Sequence, residues 1–381
     1  MKVSTKNLQG VLGLLATSQG EKKTVTLRPS QNALTLTTAS PVGSVRASLL
    51  AAAEEDDIQN CALPAHILAS LAGAATVDVF EIRPGRTATT VSAIAGASNT
   101  SLNIIEDLDS VLLDPATAPA ERTTFSLPLN VLAAAIARVQ HAAADPKRNA
   151  SLAHTMIQFI ITEQGNLITC ALDGGRLATV RVGIPDWEGT PVNLLFPQTK
   201  ALERLLTIAP TATAHVMVAN EKILIAAKTD GVATEVVLNT AAVAYPNWQE
   251  LLKGQGIGKP AIVAGVNLKA LRDLFSRAHT ICPSLKIGIR IKGKQLAIAA
   301  QAETIKHVDA VALDDVKGLD EGADFTMFTS PGSIRDALDA IGTWTDAETV
   351  KLGFTEPLKP LIIAVPGYEY STYIWPMHKE A

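Results

Sequence analysis

The stretch IVAGVNLKALRDLFS, residues 262–276, decides the fold. It opens with a short apolar run of the kind found in strands, and then reaches Asn267, a residue type favoured at the start of a helix. The large apolar residues that follow recur on one helix face; they are Leu268, Leu271, Leu274 and Phe275. The pattern predicts a β-strand that leads directly into an amphipathic helix over residues 267–279.

The same strand–helix pattern occurs twice more, in KVSTKNLQGVLGLLA (2–16) and FSLPLNVLAAAIARV (125–139). A second helical pattern follows each copy after roughly 60 to 70 residues, and such repetition indicates tandem copies of one structural unit. These second patterns are LPAHILASLAGA (63–74), FPQTKALERLLTIA (196–209) and TSPGSIRDALDAIG (329–342). Each has a proline before or inside its first turn, where proline is tolerated. The sequence therefore predicts two helices in each of three repeats.

Alternating polar and apolar residues fill the segments between these helices. Three segments with a polar or glycine-rich turn predict β-hairpins; they are TVTLRPSQNALTLTTA (24–39), GNLITCALDGGRLATVRVG (165–183) and KIGIRIKGKQLAIAAQ (286–301). Breaks between repeats are predicted at DPATAPAERTT (114–124) and KGQGIGKP (253–260), where Pro, Ala, Gly or Lys are frequent. The predicted fold is α+β, with three tandem domains at 1–118, 121–256 and 260–381, each built from two helices and antiparallel sheet.

The bulk composition fits a soluble globular protein of more than one domain. The chain has 381 residues, of which 47% are hydrophobic, 18% are charged and 4% are aromatic, so aliphatic side chains must build most of its core. A formal net charge of −4 speaks against a strongly basic nucleic-acid-binding protein, although the distribution of charge matters as much as its total. No apolar run approaches a membrane span of about 18 residues, and the N-terminal segment lacks an apolar leader core. We therefore expect a cytoplasmic protein.

The sequence offers no recognisable catalytic or metal-binding motif. Cys61, Cys170 and Cys282 are odd in number and far apart, so they predict buried free thiols rather than disulfides or a zinc site. The histidines are scattered, and no phosphate-loop or nucleophile-elbow pattern occurs. The acidic run at 54–57 fits a solvated loop, with metal binding as the alternative. A Ser/His/Asp triad joins residues that are distant in sequence, so that alternative stays open. We expect a protein that is not an enzyme, without metal or cofactor.

The segment ALDGGRLATV, residues 171–180, allows two interpretations. Its adjacent glycines suggest a backbone cradle for a phosphate, with Asp173 on a metal and Arg176 on an anion. A phosphate loop leads from a strand into a helix, however, whereas β-rich segments flank this stretch on both sides. The sequence therefore favours a tight turn within a β-hairpin.

Three segments, in order, resemble the bacterial DNA polymerase III beta subunit, the processivity sliding clamp; they are LDGGRLATV (172–180), YPNWQELL (245–252) and YIWPMHKEA (373–381). The resemblance extends over essentially the full length, because these segments lie on the threefold repeat. It implies a head-to-tail homodimer that closes into a ring of six domains, since a heterologous interface that closes gives a ring. Twelve helices would line the hole, and the ring would hold duplex DNA topologically, without sequence specificity.

The resemblance also implies partners and a binding pocket. The DNA polymerase III alpha subunit and the clamp loader would dock linear peptides into a hydrophobic pocket. The matching positions are Thr155, Leu172, Gly174, Gly175, Arg176, Leu177, Pro246, Glu250, Leu251, Tyr373, Ile374, Trp375, Pro376, Met377 and His378. A tight turn lets a peptide approach the backbone, and Trp375 would supply a large anchor surface. For Leu177 and Leu251 an ordinary place in the core is the alternative.

A ring around DNA needs basic residues that face the duplex. Candidates on or beside the predicted helices are Lys6, Lys22, Lys23, Arg138, Lys147, Arg148, Lys200, Arg204, Lys269, Arg272 and Arg335. The alternative is that these residues belong to ordinary solvated helix faces. Ring closure would join the first domain of one subunit to the third domain of the other, with Leu102 and Ile104 against Ile281. Packing within a single domain is the alternative for these three residues.

Several positions depart from the family pattern. Gly175 stands where histidine is usual, Glu250 and His378 stand where arginines are usual, and Trp375 replaces the first methionine of the tail. The chain also continues past the usual end with residues 379–381. These departures predict a less basic, differently shaped pocket with an altered affinity for standard clamp-binding peptides. The expected function is a divergent sliding clamp; the alternative is a clamp paralogue that acts as a protein-binding scaffold or monomer without encircling DNA.

Overall fold

A computed structural model describes residues 1–18, 24–40, 43–52, 59–87, 89–105, 122–147, 150–219, 221–254, 257, 259–283, 286–301 and 306–377. The chain forms two compact units. The first contains Met1–Ala133, Glu163–Gly165 and Ile184–Ala241, and the second contains Ala134–Thr162, Asn166–Gly183 and Ala242–Ala381. The three tandem domains inferred from the sequence repeat stay a prediction.

The predicted helices are present in all three repeats. The helices are α1 (Thr5–Leu15), α2 (Ala65–Ala74), α3 (Leu129–Gln140), α4 (Ala201–Ile208), α5 (Trp248–Gly254), α6 (Leu268–Ile281) and α7 (Pro331–Gly342). Helix α6 begins as expected, because the Asn267 side chain accepts the N–H of Ala270 at 2.9 Å. Among the helices of the described residues, α5 alone has no counterpart among the predictions; it spans seven residues, and none of them is fully buried.

Antiparallel strands make up most of the remaining structure. The first twelve are β1 (Lys2–Ser4), β2 (Thr24–Ser30), β3 (Ala33–Ser40), β4 (Gly43–Ala52), β5 (Cys61–Pro64), β6 (Val79–Pro84), β7 (Thr90–Ala95), β8 (Ser98–Asn103), β9 (Thr123–Pro128), β10 (Met156–Ile161), β11 (Asn166–Leu172) and β12 (Arg176–Gly183). The others are β13 (Val192–Pro197), β14 (Thr213–Ala219), β15 (Lys222–Thr229), β16 (Val232–Asn239), β17 (Ile262–Asn267), β18 (Ile287–Lys292), β19 (Gln295–Gln301), β20 (Lys306–Ala312), β21 (Asp315–Lys317), β22 (Asp324–Thr329), β23 (Thr349–Phe354), β24 (Leu361–Ala364) and β25 (Tyr370–Ile374).

The first unit is built on one twelve-stranded sheet. Its main path runs β8-β7-β6-β1-β4-β16-β15-β14-β9, while β3 pairs with β4 and β2 pairs with both β3 and β5. Helix α1 buries Leu8, Val11 and Leu15 and packs against α2 and α4. A Cβ on Gly10 would lie 3.2 Å from Ile208 Cγ1, so the small residue lets α1 and α4 approach closely.

The second unit contains two sheets and the helix pair α6–α7, whose members pack against each other. The larger sheet includes the path β10-β11-β12-β25-β24-β23-β17-β21, and the smaller one runs β20-β19-β18-β22. The strand β25, which is last in the chain, lies beside β12 in the larger sheet and brings the C-terminal segment next to the ALDGGRLATV turn.

The three predicted hairpins are confirmed. They are β2–β3 in the first unit and β11–β12 and β18–β19 in the second.

The structure bears on the predictions about cysteines, metal ligands and membrane spans. All three cysteines are buried and free, as predicted. The acidic run at 54–57 lies outside the described residues. Within the described ranges, no group of His, Cys, Asp or Glu side chains is arranged to hold a metal ion. No described helix has the length and apolar character needed to cross a bilayer.

Candidate functional site

A hydrophobic cluster lies beside the turn of the β11–β12 hairpin. Its floor is formed by Cys170, Leu172 and Leu177, which are at most 6% exposed. Partly buried side chains pack against this floor; they are Tyr245, Trp248, Leu252, Tyr373 and Trp375. Four of these five are aromatic, although only 4% of the chain is aromatic. Burial raises the pKa of Cys170 far above its usual value, so the thiol stays protonated and serves as apolar floor rather than as a nucleophile.

The turn beside the cluster is shaped by Asp173 and Gly174. The Asp173 N–H donates to the Arg176 carbonyl at 3.1 Å and closes the hairpin, while Gly174 has a φ of +85°, which glycine adopts at little cost. Asp173 Oδ1 accepts the N–H groups of Gly175 at 3.0 Å and of Arg176 at 2.8 Å. A phosphate would need those same donors. The tight-turn interpretation is therefore confirmed, and the phosphate-cradle alternative is wrong.

The tail completes the cluster from the other end of the sequence. Strand β25 runs antiparallel to β12, and Tyr373 lies opposite Leu177. Just after the strand, the Trp375 N–H donates to the Gly175 carbonyl at 2.9 Å. Backbone bonds thus fix the tail on the hairpin and hold the Trp375 indole against the apolar floor.

Helix α5 supplies a third side of the cluster. The Trp248 indole Nε1 donates to Gln158 Oε1 at 2.9 Å, and Gln158 is itself buried. This bond satisfies the polar edge of the indole while its rings pack on the floor. Leu251, by contrast, is 41% exposed, and Glu250 pairs with Lys253 at 3.0 Å. The helix therefore offers exposed apolar surface beside the cluster.

The predicted pocket residues differ in their exposure. Buried are Thr155, Leu172, Leu177 and Ile374; half-buried are Arg176, Tyr373, Trp375 and Pro376; exposed are Gly174, Gly175, Pro246, Glu250, Leu251 and Met377. His378 lies outside the described residues. Leu177 is fully buried, as in the alternative of an ordinary core residue, whereas the exposure of Leu251 is inconsistent with that alternative.

Four members of the cluster were not among the predicted pocket residues. Tyr245, Trp248 and Leu252 lie within YPNWQELL at helical spacing, and this aromatic enrichment in an aromatic-poor chain is a usable signal. Cys170 alternates with Leu172 along β11, so the period of two in a strand places both on one face. The predicted pocket residues also do not include His154, although its Cε1 lies 3.9 Å from where a Cβ on Gly174 would stand.

The basic residues predicted to face DNA differ in their surroundings. Exposed on or beside helices are Lys6, Lys147, Lys200, Arg204 and Lys269. Arg272 is exposed as well, but its Nε lies 2.5 Å from Asp339 Oδ1, and Arg335 Nη2 lies 2.6 Å from Asp336 Oδ1. Those two arginines carry carboxylate partners of their own. Outside the described residues are Lys22, Lys23 and Arg148.

Arg138 is held within an aromatic cluster. Its guanidinium carbon stands 3.6 Å from the centroid of the Trp344 ring and 5.3 Å from that of Tyr368. Trp344 in turn meets Tyr368 and Tyr370 edge-on, at centroid distances of 5.1 and 5.3 Å. Burial lowers the pKa of Arg138. A guanidinium stacked in this way is partly desolvated, and the expectation that Arg138 faces DNA stays a prediction.

The residues predicted for the subunit interface differ from one another in their exposure. Leu102 on β8 is 3% exposed and belongs to the core of the first unit, which is the alternative of packing within one domain. Its side chain is buried within its own unit, and a place for this residue in the subunit interface stays a prediction. Ile104 is half-buried, and Ile281, the last residue of α6, is 42% exposed.

His141, beside the cluster, makes stability depend on pH. Its Nε2 lies 3.4 Å from the Thr372 hydroxyl, and burial, aided by the charge of Arg176, lowers the pKa of His141 from 6.5 to about 4. The unfolded chain binds a proton as the pH falls below 6.5, whereas the folded chain resists protonation until about pH 4. The free energy of unfolding should therefore fall by about 3 kcal/mol across this window.

The variant His141→Gln, which cannot titrate there, isolates this contribution. Urea denaturation of both proteins at pH values of about 7, 5 and 4 gives the free energy of unfolding at each pH. We expect the wild type to lose stability more steeply than the variant between pH 7 and pH 4. Parallel curves would show that His141 does not titrate with a lowered pKa.

The chain was compared with known proteins. No protein-family model matches it, and no curated protein does. A solved DNA polymerase III beta subunit from Thermotoga maritima has a TM-score of 0.83 at 16% identity, covering 100% of this chain and 99% of its own. The corresponding subunit from Pseudomonas aeruginosa gives 0.81 at 16% identity, with both chains covered completely. The DNA polymerase sliding clamp from Bacillus subtilis gives 0.80 at 16% identity, covering 100% of this chain and 99% of its own. The chain therefore has the fold of the bacterial DNA polymerase III beta subunit, the sliding clamp.

Proposed function

We propose that the chain is a cytoplasmic DNA sliding clamp with three domains per subunit. Two copies close head to tail into a ring around duplex DNA, and the ring tethers a polymerase through the aromatic cluster. One observation carries this proposal. In a chain with a clamp fold, the 173–176 turn, α5 and the tail after β25 meet around one apolar floor.

The cluster has the features of a site for linear peptides. Tyr245, Trp248, Tyr373 and Trp375 are only partly buried, so they offer aromatic surface to a ligand, and such residues dominate binding hot spots. Leu251 adds exposed apolar surface beside them. The proposed partners are the DNA polymerase III alpha subunit and the clamp loader, each of which would insert a short apolar peptide.

The proposed contact with DNA is electrostatic and independent of sequence. Lys6, Lys200, Arg204 and Lys269 are exposed on or beside helices, where they can attract phosphates without reading base edges. Attraction of this kind does not fix one register on the duplex. A ring that is closed by its subunit interface can then move along DNA while it stays bound.

Two sheet edges support the proposed ring closure. In the described chain β8 is an end strand of the first unit's sheet, and β20 is an end strand of the second unit's smaller sheet. End strands present backbone groups that another strand can pair with. On the second unit, α6 packs against β20, Ile281 ends that helix, and Val308 on β20 is 65% exposed. We propose that β8 of one subunit pairs with β20 of its partner.

Retention on closed DNA tests the proposal directly. The protein is concentrated with a nicked circular plasmid so that dimers re-form around the DNA, and the mixture is passed through a gel-filtration column in high salt. A topological clamp should stay with the circle and should be released when a restriction enzyme linearises the plasmid. Equal retention on circular and linear DNA, or retention on neither, would contradict encirclement.

A protein-binding scaffold that does not encircle DNA is the second candidate. It is favoured by the internal partners of three arginines expected at the DNA, since Arg272 and Arg335 pair with aspartates and Arg138 stacks on Trp344. The mass in solution separates the two candidates. A dimer at micromolar concentration fits the clamp, and a stable monomer fits the scaffold.

A further inference from the structure

The Arg176 side chain is held by hydrogen bonds to two aspartates of its own chain. Its Nε and Nη2 donate to Asp173 Oδ2 at 2.9 and 2.7 Å, and its Nη1 donates to Asp336 Oδ2 at 3.0 Å. The side chain is only 17% exposed. A peptide carboxylate would have to compete with two aspartates for this guanidinium. Arg176 therefore joins the 173–176 turn to helix α7, on which Asp336 lies.

The turn passes this connection on to the tail. Asp173 accepts the Arg176 guanidinium with Oδ2 and accepts the N–H of Gly175 with Oδ1. The Gly175 carbonyl then accepts the Trp375 N–H. A short series of hydrogen bonds thus connects Asp336 to the backbone of Trp375, whose indole packs on the apolar floor.

Asp336 is shared with a second arginine. Its Oδ1 accepts Arg335 Nη2 at 2.6 Å and Nε at 3.1 Å, while its Oδ2 accepts Arg176. Arg335 is 32% exposed, so it can also reach an outside anion. Two positive charges consequently flank one carboxylate, and they repel each other across it. A phosphate at Arg335 would neutralise the outer charge and leave Asp336 to Arg176.

We propose that Asp336 is a positioning residue of the peptide site, and that a DNA phosphate bound by Arg335 strengthens peptide binding through it. This inference rests on the proposed function, because it assumes both the peptide site and the approach of DNA to α7. Coupling of two ligands is reciprocal, so the peptide must equally strengthen DNA binding. The clamp would then bind its partners more tightly on DNA than in free solution.

Fluorescence anisotropy of a labelled peptide tests this inference with the full chain. The probe is a consensus bacterial clamp-binding peptide, titrated with and without a saturating 20-base-pair duplex. The wild type should bind the peptide about threefold more tightly with the duplex, and Asp336→Asn should bind it about fivefold more weakly and independently of the duplex. Arg335→Ala should bind as the DNA-saturated wild type does, with or without DNA.

Controls separate positioning from a general loss of structure. Asp336→Glu, which keeps the charge, should restore part of the affinity, and thermal melting shows whether each variant is folded. Arg290→Ala removes an ion pair with Asp324 in the smaller sheet of the same unit and should keep the affinity and the DNA dependence of the wild type. A folded Asp336→Asn that binds like the wild type, or a wild-type affinity that the duplex does not change, would overturn the inference. If the wild type binds no peptide in either condition, the proposed peptide site itself fails.

Discussion

Trp375→Ala should weaken binding of a linear clamp-binding peptide by roughly 30-fold, or about 2 kcal/mol. The Trp375 indole is half-buried against Leu177 and its neighbours and offers its remaining surface to a ligand. Its backbone N–H, which bonds to Gly175, survives the substitution, so the tail keeps its anchor. The loss therefore reports on the indole surface itself. The same anisotropy titration measures it.

The choice of residue matters for this experiment. Leu177 is fully buried and Ile374 is 1% exposed within β25. Replacing either would disturb the sheet, so a loss of peptide binding would reflect damage to the fold rather than a lost contact with the peptide. Leu358→Ala is a suitable control, because that leucine is 63% exposed in the turn before β24, and its loss should leave peptide affinity unchanged. Wild-type affinity in a folded Trp375→Ala protein would refute the pocket assignment.

Trp344→Ala should lower the free energy of unfolding by about 4 kcal/mol. The indole lies under the Arg138 guanidinium and edge-on to Tyr368 and Tyr370. Its removal opens a cavity beside Tyr370, which is 1% exposed, and leaves a partly desolvated cation without the ring that faces it.

Urea denaturation followed by circular dichroism provides the measurement, and Trp344→Phe is the matched control. Phenylalanine keeps an aromatic face under Arg138 and should recover more than half of the lost stability. A loss below about 1 kcal/mol in the alanine variant would mean that the stack contributes little beyond surface contact. The peptide affinity of the folded fraction should not change, because Trp344 does not belong to the cluster at Leu177.

Local signals explain why the elements could be predicted from the sequence. Helix α6 was evident because its apolar residues keep helical spacing and Asn267 marks its start, and both features lie within a few residues. The β11–β12 turn was evident because Asp-Gly-Gly interrupts two strand-like runs. Such patterns depend on the backbone and on residues close in sequence, so the elements can be predicted from the sequence alone.

Contacts between distant segments could not be predicted in this way. Nothing in the composition of α7 indicates that Asp336 would meet Arg176, which precedes it by 160 residues. The stack of Arg138 on Trp344 is equally non-local, so the sequence alone does not reveal that this helical arginine packs on an aromatic ring. The tail could be placed near the turn only through the resemblance to a family, since no residue pattern reveals that β25 pairs with β12.

The ion pairs on α6 and α7 have a consequence for how such a ring would move. Arg272 and Arg335 each already pair with a carboxylate, that of Asp339 and that of Asp336, so each would attract a phosphate less strongly than an unpaired cation does. Binding strength would then vary less with salt concentration than the number of basic residues suggests, because that dependence follows the number of phosphates that the protein neutralises. A protein that grips phosphates so lightly meets a smooth energy surface along the duplex. Low friction would come from charges that the protein has already satisfied within itself.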